Sequence, residues 1–292
     1  MPPEGHESWR VVLFTDFPQG AAWYKQFLPA KGHRLVAVVT SSKRQFPYLD
    51  VVRAAQPEVD VLVSNHPRRW AEMLRPLRPD LVVATVFPWR IPDDVLALPR
   101  LGAVNVHPAL LPRYRGAMTP YWLLRNGERE GGVTLHRMTA DFDAGSILAQ
   151  ERFAIDDDDD IPALFQKVGV TFAPLWEAAL PRIARGDQGE PQDEAQASYF
   201  GQIEDEVAWR AIDWTRPARE IHNQVRSCGW AGAQPAGAVG TIDGAPTRIT
   251  RTRLVDAPSD GADPGAVVSR TDDALLVQCG DRPLEIVEHR PA

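Results

Sequence analysis

The first half of the chain alternates short apolar runs with segments of helical spacing, and this alternation constrains the fold more than any other feature. The apolar runs cover 11–14, 35–39, 59–63, 81–86 and 102–106. Each is too short for a helix and is bounded by turn residues, as in strands buried on both faces. Helical spacing lies between them, at 20–28, 69–78 and 95–98. The pattern predicts an α/β fold with a doubly wound, mostly parallel sheet and right-handed crossovers.

A sheet of this kind binds its ligand beyond the carboxyl ends of the strands. Two segments are expected there: 87–91 after the fourth run, and His107 onward after the fifth. The turn after the first run, 15–20, lacks the glycine-rich sequence with which dinucleotide folds bind pyrophosphate. A nicotinamide enzyme is therefore not expected.

The second half of the chain has a different character. The five consecutive aspartates at 156–160 are expected to form a solvated loop and a helix start. A metal site is disfavoured there, because adjacent side chains point in different directions and do not converge on one cation. A helix is predicted over 161–185, followed by a polar linker at 187–198. We therefore expect a catalytic domain at 1–186 and a second, smaller domain at 199–292.

The region from 199 onward predicts one helix, at 218–225, and then five short strands separated by glycine and proline. These strands are expected at 239–242, 247–254, 266–269, 274–279 and 284–287. Short strands of this number and spacing indicate a small β-barrel or sandwich.

Charge and composition exclude several classes of protein. With 32 Lys and Arg against 39 Asp and Glu, the net charge is −7, which disfavours non-specific binding to phosphate backbones. Only two cysteines are present, too few for a disulfide framework or a four-cysteine zinc site. No apolar run approaches the roughly 20 residues of a spanning helix, and the first ten residues do not resemble a signal peptide. A cytoplasmic protein without a membrane partner is expected.

Two polar motifs indicate where chemistry takes place. Segment 105–116 reads Asn-Val-His-Pro-Ala-Leu-Leu-Pro-Arg-Tyr-Arg-Gly, so Asn105 and His107 share one strand face. Segment 132–138 reads Gly-Val-Thr-Leu-His-Arg-Met, and the turn after it can present the Asp143 carboxylate to the same crevice. Any one of these residues alone is ordinarily structural. Their joint pattern predicts a site.

These two motifs together resemble the folate-dependent formyltransferase family, and 213–225 with the following strands resembles the carboxyl-terminal barrel of several members. The resemblance implies a Rossmann-like formyltransferase fold followed by an OB-like barrel. It implies an N-formyltransferase, a one-carbon group transferase that uses 10-formyltetrahydrofolate as formyl donor and needs no metal. The family's catalytic trio falls on Asn105, His107 and Asp143.

The chemistry implied by the resemblance suits these side chains. An amine attacks the formyl carbon, a tetrahedral oxyanion forms, and N10 of the folate leaves. Asn105 and a protonated His107 can donate hydrogen bonds to that oxyanion. His107 can also carry the proton, since the reference pKa of histidine is near ~6.5. Asp143 can orient the imidazole and help to take the proton of the amine.

The resemblance also places the pterin between the loops at 87–91 and 139–143, with 109–112 as a further wall. The cofactor-binding residues expected from it are Phe87, Trp89, Arg90, Ile91, Ala109, Leu110, Leu111, Pro112, Thr139, Ala140 and Asp141. Trp89 can either contact the pterin or pack the loop. Arg115 and His136 are assigned to the acceptor substrate.

The expected acceptor follows from positions at which this sequence differs from other members of the family that it resembles. Relatives that formylate initiator methionyl-tRNA carry a basic insertion after the second strand, where 40–47 holds only two cations. From 199 onward the chain has no lysine, 10 arginines and 14 acidic residues, a net charge of −4. Nucleic acid is therefore not expected as a partner. Relatives that formylate amino sugars often have arginine after Tyr-Arg-Gly, where this chain has Ala117.

We therefore expect a small amine of specialised metabolism as the acceptor, either a hydroxyornithine-type siderophore precursor or an amino-sugar nucleotide. Methionyl-tRNA is the alternative acceptor. A second alternative is a non-catalytic folate-binding or partner-binding protein. The joint presence of Asn105, His107 and Asp143 argues against it, since a binding module needs none of them.

Overall fold

A computed structural model describes residues 7–42, 48–203, 206–229, 236–259, 261–271 and 274–292. The chain divides into two compact units. The first comprises Met1–Gly116, Gly132–Glu151 and Thr171–Tyr199, and the second comprises Ala117–Gly131, Arg152–Val170 and Phe200–Ala292. No helix in the described part of the chain combines the length and the apolar character that crossing a membrane requires.

The strands and helices of the described residues are as follows. The strands are β1 (Arg10–Phe14), β2 (Arg34–Thr40), β3 (Asp60–Val63), β4 (Leu81–Thr85), β5 (Ala103–His107), β6 (Arg115–Gly116), β7 (Glu130–Arg137), β8 (Ile147–Ala154), β9 (Tyr199–Phe200), β10 (Ala238–Ile242), β11 (Ala245–Leu254), β12 (Val267–Arg270), β13 (Leu275–Gln278) and β14 (Pro283–Pro291). The helices are α1 (Pro18–Ala30), α2 (Tyr48–Ala55), α3 (Trp70–Leu74), α4 (Asp93–Leu96), α5 (Thr119–Arg125), α6 (Ile161–Ala184) and α7 (Ala218–Ser227).

A seven-stranded sheet with the order β3-β2-β1-β4-β5-β7-β8 carries the site. Strands β1 to β5 pair in parallel, and β7 runs antiparallel to β5. The chain winds outward from β1 through β2 to β3 and then returns to continue on the other side with β4. Ligands bind beyond the carboxyl ends of strands at such a switch point. The predicted doubly wound, mostly parallel sheet is confirmed.

The helix predicted over 69–78 is shorter than expected. Only Trp70–Leu74 is α-helical, and 3₁₀ turns flank it at Pro67–Arg69 and Arg75–Leu77. The cause is Pro76, which has no N–H to donate and whose ring clashes with the preceding turn of an α-helix. Trp70 is nevertheless fully buried, as the apolar spacing predicted.

Aromatic packing beneath the carboxyl ends of the strands holds the loop after β4. The ring of Phe87 lies 5.2 Å from that of Phe14 and 5.5 Å from that of Trp70. Phe14 and Trp70 belong to a buried cluster that also includes Ile91. Because aromatic pairs of this geometry add to the hydrophobic gain, the loop at 87–91 starts from a rigid base.

The second unit contains a five-stranded antiparallel sheet with the order β10-β11-β14-β13-β12. The buried face of α7 and Trp214 share one apolar cluster with its strands. Gly240 and Gly265 lie against the Trp214 ring, where an added Cβ would come within 3.0 Å at either position. The five predicted strands of the smaller domain are confirmed, each with shifted ends.

The aspartate run forms a loop and the start of α6, as the sequence indicated. The Asp160 carboxylate accepts a hydrogen bond from the backbone N–H of Ala163, which caps the first turn. Asp157 instead forms ion pairs with Arg129 and Arg219. Hydrogen bonds from Arg219 and then Arg129 outweigh partial burial and lower the pKa of Asp157 to about 2.

The segment 187–198, expected to be a linker, is hydrogen-bonded within the first unit. Ile147 and Glu190 form an antiparallel bridge, and the carboxylate of Glu190 pairs with Arg182. Further along, the backbone N–H of Arg115 donates to the carbonyl of Ser198. The segment therefore passes directly beside the residues that follow β5.

Candidate active site

The end of β5 and its neighbour β7 supply three of the four polar groups that the site brings together. Their antiparallel register pairs Asn105 with His136 and His107 with Thr134. Directly paired residues point to the same face of a sheet. The sequence therefore places Asn105, His107 and His136 on one face, and the turn after β7 adds Asp143.

The carboxylate of Asp143 lies at the centre of the group. Its Oδ1 accepts a hydrogen bond from Nδ2 of Asn105 at 3.1 Å, and its Oδ2 accepts one from the Gly116 N–H at 2.9 Å. Nδ1 of His107 lies 3.6 Å from Oδ2, and Nε2 of His136 lies 3.5 Å from Oδ1. Asp143 is only 8% exposed, so few of these contacts are shared with water.

These neighbours decide the charge of Asp143. Burial alone raises the pKa of the carboxyl, but interactions led by His107 and including the hydrogen bond from the Gly116 N–H outweigh it. The pKa of Asp143 is held well below its usual range. Asp143 is therefore a carboxylate at neutral pH.

The hydrogen bond of His107 to the backbone determines which ring nitrogen exchanges its proton. Nε2 lies 2.7 Å from the carbonyl oxygen of Tyr114. A carbonyl can only accept, so Nε2 carries a hydrogen. Nδ1, the nitrogen that faces Asp143, is therefore the position at which the neutral ring can take up a proton.

His136 and Asn105 orient each other. Nδ1 of His136 donates to the carbonyl oxygen of Arg137 at 2.8 Å, which leaves Nε2 of the neutral ring as an acceptor for the Asn105 amide at 3.2 Å. The two amide hydrogens of Asn105 thus go to His136 and Asp143. The sequence-based expectation that Asn105 donates to an oxyanion requires it to exchange one of these bonds.

Three residues around the site have left-handed backbone conformations that side chains other than glycine rarely adopt. Their φ angles are 46° for Val86, 62° for Tyr114 and 54° for Asp143. Each such residue costs about 1–3 kcal/mol and persists only where surrounding contacts enforce it. Val86 leads into the loop at 87–91, Tyr114 binds His107, and Asp143 carries the carboxylate. Strain concentrated in this way is typical of functional sites.

The structure joins the two loops that the resemblance assigned to the pterin. Nε of Arg90 donates to the carbonyl oxygen of Ala140 at 2.8 Å. Within the second loop, the hydroxyl of Thr139 donates to the carbonyl of Asp141. Trp89 is half-buried and packs, with Met138, against the cluster beneath the loop. The loop-packing role of Trp89 is thus visible, and its contact with the pterin stays a prediction.

The predicted wall at 109–112 is held by side chains of β7 and β8. Thr134 donates to the carbonyl of Ala109 and accepts from the N–H of Leu111. Gln150 donates to the carbonyl of Leu111. Ala109 and Leu111 are buried, whereas Leu110 and Pro112 are half-buried.

The two residues assigned to the acceptor have different surroundings. His136 faces Asn105 and Asp143, as described above. Arg115 is 8% exposed, and its guanidinium donates to Oε1 of Gln192 and forms a two-pronged pair with Glu194. Binding of the acceptor by Arg115 stays a prediction.

Sequence reasoning missed three contributors to the site. They are the carbonyl of Tyr114, the N–H of Gly116 and the side chain of Gln192, which donates to the carbonyls of Asp143 and Gly145. The first two are backbone groups, which carry no residue-type signal. Gln192 lies 49 residues from Asp143, in a segment whose composition is that of a linker.

A carboxylate, two imidazoles and a carboxamide thus converge beyond the end of a central strand, at the position where open α/β sheets bind ligands. The carboxylate is charged, and Nδ1 of an imidazole faces it. These features define the class of the protein: an α/β enzyme equipped for acid–base catalysis and for stabilising developing charge.

The particular family follows from sequence comparison. The formyl transferase family model matches residues 10–171, and the model of the formyl transferase C-terminal domain matches 206–292. A methionyl-tRNA formyltransferase of Pelobacter propionicus is 36% identical over 96% of this chain and 88% of its own length. The chain belongs to the formyl transferase family. It is a folate-dependent formyltransferase, and its formyl donor is 10-formyltetrahydrofolate.

Solved structures share the fold at identities below 25%. WlaRD, a sugar 3N-formyltransferase crystallised with dTDP and 5-N-formyl-THF, has a TM-score of 0.69 and 18% identity, covering 98% of each chain. The N-formyltransferase of Helicobacter canadensis, in complex with folinic acid and dTDP-3-aminofucose, also has a TM-score of 0.69 and 18% identity, covering 97% of this chain and 100% of its own.

HypX of Aquifex aeolicus in complex with tetrahydrofolic acid has a TM-score of 0.66 and 22% identity. The match covers 98% of this chain but only 44% of HypX, so this chain spans less than half of that protein.

Proposed function

We propose that this enzyme transfers the formyl group to the amine of a small molecule in specialised metabolite biosynthesis. The acceptor class is a hydroxyornithine-type siderophore precursor or an amino-sugar nucleotide. The observation that carries the proposal is the local neutralisation of arginines in the second unit. In the described part of 199–292, six arginines pair with acidic side chains: Arg216 with Glu220, Arg219 with Asp157, Arg251 with Glu288, Arg253 with Glu285, Arg270 with Asp243, and Arg282 with Asp281.

A protein that binds tRNA must present unpaired positive charge to the phosphates. From 199 onward the chain has paired arginines, no lysine and a net charge of −4, so its electrostatic potential repels phosphates. The two cations after β2, Lys43 and Arg44, lie outside the described residues. The electrostatics of the described chain therefore favour a small acceptor.

The proposed reaction uses the site as follows. The amine nitrogen attacks the formyl carbon, and the tetrahedral oxyanion accepts hydrogen bonds from Asn105 and from His107 once protonated. The pKa of Asp143 lies well below its usual range, so this carboxylate is itself a weak base. Nδ1 of His107, which lies 3.6 Å from Oδ2 of Asp143, takes the proton of the amine instead. The bond between carbon and N10 then breaks, and the proton passes to N10 of the departing tetrahydrofolate.

The catalytic assignment is tested with His107→Ala and Asp143→Asn, assayed by release of tetrahydrofolate from 10-formyltetrahydrofolate. Each variant is expected to lower kcat by about 10²-fold or more while the fold persists. His289→Ala, an exposed histidine of β14, is the matched control and is expected to keep wild-type kcat. A folded His107→Ala variant with near-normal turnover would contradict the mechanism, whereas folate binding without turnover of any amine by the wild-type protein would favour a binding protein on this scaffold.

Methionyl-tRNA is a second candidate acceptor, and one observation favours it. The relative from Pelobacter propionicus is a methionyl-tRNA formyltransferase and aligns with 96% of this chain. The two candidates are separated by presenting charged initiator tRNA, hydroxyornithine and dTDP-amino sugars in parallel at two salt concentrations.

Turnover of a small amine with little salt dependence supports the proposal. Turnover of tRNA alone would overturn it, particularly if affinity fell with a log–log slope of about −0.7 to −0.9 per phosphate contacted.

A further inference from the structure

Gln192 joins a buried arginine to the turn that carries the Asp143 carboxylate. Its Nε2 donates to the carbonyl oxygen of Asp143 at 2.7 Å and to that of Gly145 at 2.8 Å. Its Oε1 accepts from Nε and Nη2 of Arg115 at 3.0 and 2.8 Å. Both donors of the amide and its acceptor are thus engaged, and each bond links residues distant in sequence.

The turn that Gln192 holds does not adopt its conformation by local preference. Asp143 has a φ of 54°, in the left-handed region. At Gly145 an added Cβ would lie 1.8 Å from the carbonyl oxygen of Arg137, so the turn lies hard against the end of β7. A strained residue of this kind needs contacts from outside its own segment. The two hydrogen bonds from Gln192 hold the carbonyl of the strained Asp143 and the carbonyl of Gly145, two residues further along.

Arg115 strengthens this arrangement from the other side. Glu194 pairs with two guanidinium nitrogens of Arg115, which fixes the plane of the side chain. A cation on the oxygen of an amide polarises it, so its N–H groups become better donors. The neighbours of Arg115 bind the catalytic groups directly, since the Tyr114 carbonyl accepts from His107 and the Gly116 N–H donates to Asp143.

We infer that Gln192 is a positioning residue for Asp143: together with Arg115 it holds the turn at 143–145 so that the carboxylate meets Asn105, His107 and Gly116. Gln192 acts through its hydrogen bonds to the backbone carbonyls of the turn. The inference rests on the proposed role of Asp143 in catalysis. It assigns a function to a segment whose composition predicted only a linker.

The test replaces the side-chain NH2 group of Gln192 by an oxygen. Gln192→Glu keeps an oxygen for Arg115 but replaces the amide donor by an oxygen that cannot donate to the two carbonyls. The control is Gln188→Glu, which removes the same kind of bond, from an exposed glutamine to the Gly186 carbonyl in the same segment. Gln192→Glu is expected to lower kcat about 10- to 100-fold, with KM values for donor and acceptor within about 2-fold. Gln188→Glu is expected to match the wild type.

The rate of each folded molecule distinguishes positioning from general destabilisation. Displacement of the carboxylate from the Gly116 N–H and from His107 slows the chemical step, so kcat per folded enzyme should fall in Gln192→Glu and stay at the wild-type value in Gln188→Glu. A loss of folded protein alone would lower the total rate in proportion to the folded fraction and leave kcat per folded enzyme unchanged.

The outcomes are separable from those of the proposed function. Wild-type kcat per folded enzyme in Gln192→Glu overturns this inference, whatever the acceptor. If Gln192→Glu does not fold, Gln192→Met removes the same bonds without adding charge, and wild-type kcat in that variant overturns the inference equally. If wild-type enzyme turns over only methionyl-tRNA, the proposed acceptor fails, and Gln192 is then tested with that acceptor. If His107→Ala and Asp143→Asn keep wild-type turnover, the catalytic proposal fails first.

Discussion

Gly145 offers a direct test of how closely the catalytic turn is fitted to the sheet. Its Cα lies so near the end of β7 that an added Cβ would be 1.8 Å from the carbonyl oxygen of Arg137. That oxygen is also the acceptor for Nδ1 of His136. Gly145→Ala therefore pushes the Asp143 turn away from β7, or pushes the support of His136, or both.

The magnitude follows from the contact distance. Cβ atoms essentially never lie within 3.0 Å of such an atom, so the backbone must separate by at least about 1.2 Å. A misplacement of ~1 Å in a catalytic constellation costs about 10²-fold in rate. Overpacking of this kind also destabilises by about 1–3 kcal/mol. Gly145→Ala is thus expected to lose about 10²-fold in kcat and to unfold at lower urea concentration.

The assay measures formyl transfer and urea unfolding on the same preparations. Gly169→Ala is the matched control, since Gly169 is exposed in the middle of α6 and an added Cβ would meet no atom within 4 Å. Alanine there is expected to raise stability by about 0.5–1 kcal/mol and to leave kcat unchanged. Wild-type kcat and stability in Gly145→Ala would refute the view that this close approach positions the carboxylate.

Three further predictions concern pH, thiol reactivity and the cofactor loop. Burial lowers the pKa of His222 to about 4. As the pH falls, the unfolded chain therefore takes up this proton before the folded protein does. The contribution of His222 to stability is fully present above the unfolded pKa of about 6.5 and is lost as the pH drops to 4. The loss in free energy of unfolding is up to about 3 kcal/mol, at about 1.36 kcal/mol per pKa unit. In His222→Gln, the free energy of unfolding measured with urea should therefore change less steeply with pH over this range. An equal pH dependence in wild type and variant would exclude His222 as the cause. Burial raises the pKa of Cys228 and raises that of Cys279 to about 12. Iodoacetamide should therefore label neither thiol in the folded protein at pH 8. Rapid labelling of the folded protein would contradict the burial of these thiols. Trp89→Ala should weaken binding of a folate analogue in calorimetry if the ring contacts the pterin, and unchanged affinity with lowered stability would leave it a packing role.

Much of the fold was predictable because its strands are short apolar runs, and such a run can be recognised as a buried strand from neighbouring residues alone. The register of Asn105 and His107 was equally predictable, since side chains two residues apart on a strand share a face. Pro76 shows where periodicity misled: the apolar spacing of a helix was present, but a missing N–H interrupts the hydrogen bonds.

The sequence by itself determined the five parallel strands of the first half, the helix and five strands from 199 onward, the residue types of the site and the motifs that mark a formyltransferase. Only the tertiary structure decided which nitrogen of His107 faces Asp143 and which groups hold that carboxylate. It also decided that Gln192, in a segment with the composition of a linker, binds the turn at 143–145. The physical reason is that strands form from neighbouring residues, whereas these bonds join backbone groups and side chains far apart in the chain. Such bonds exist only once the sheet has brought their partners together.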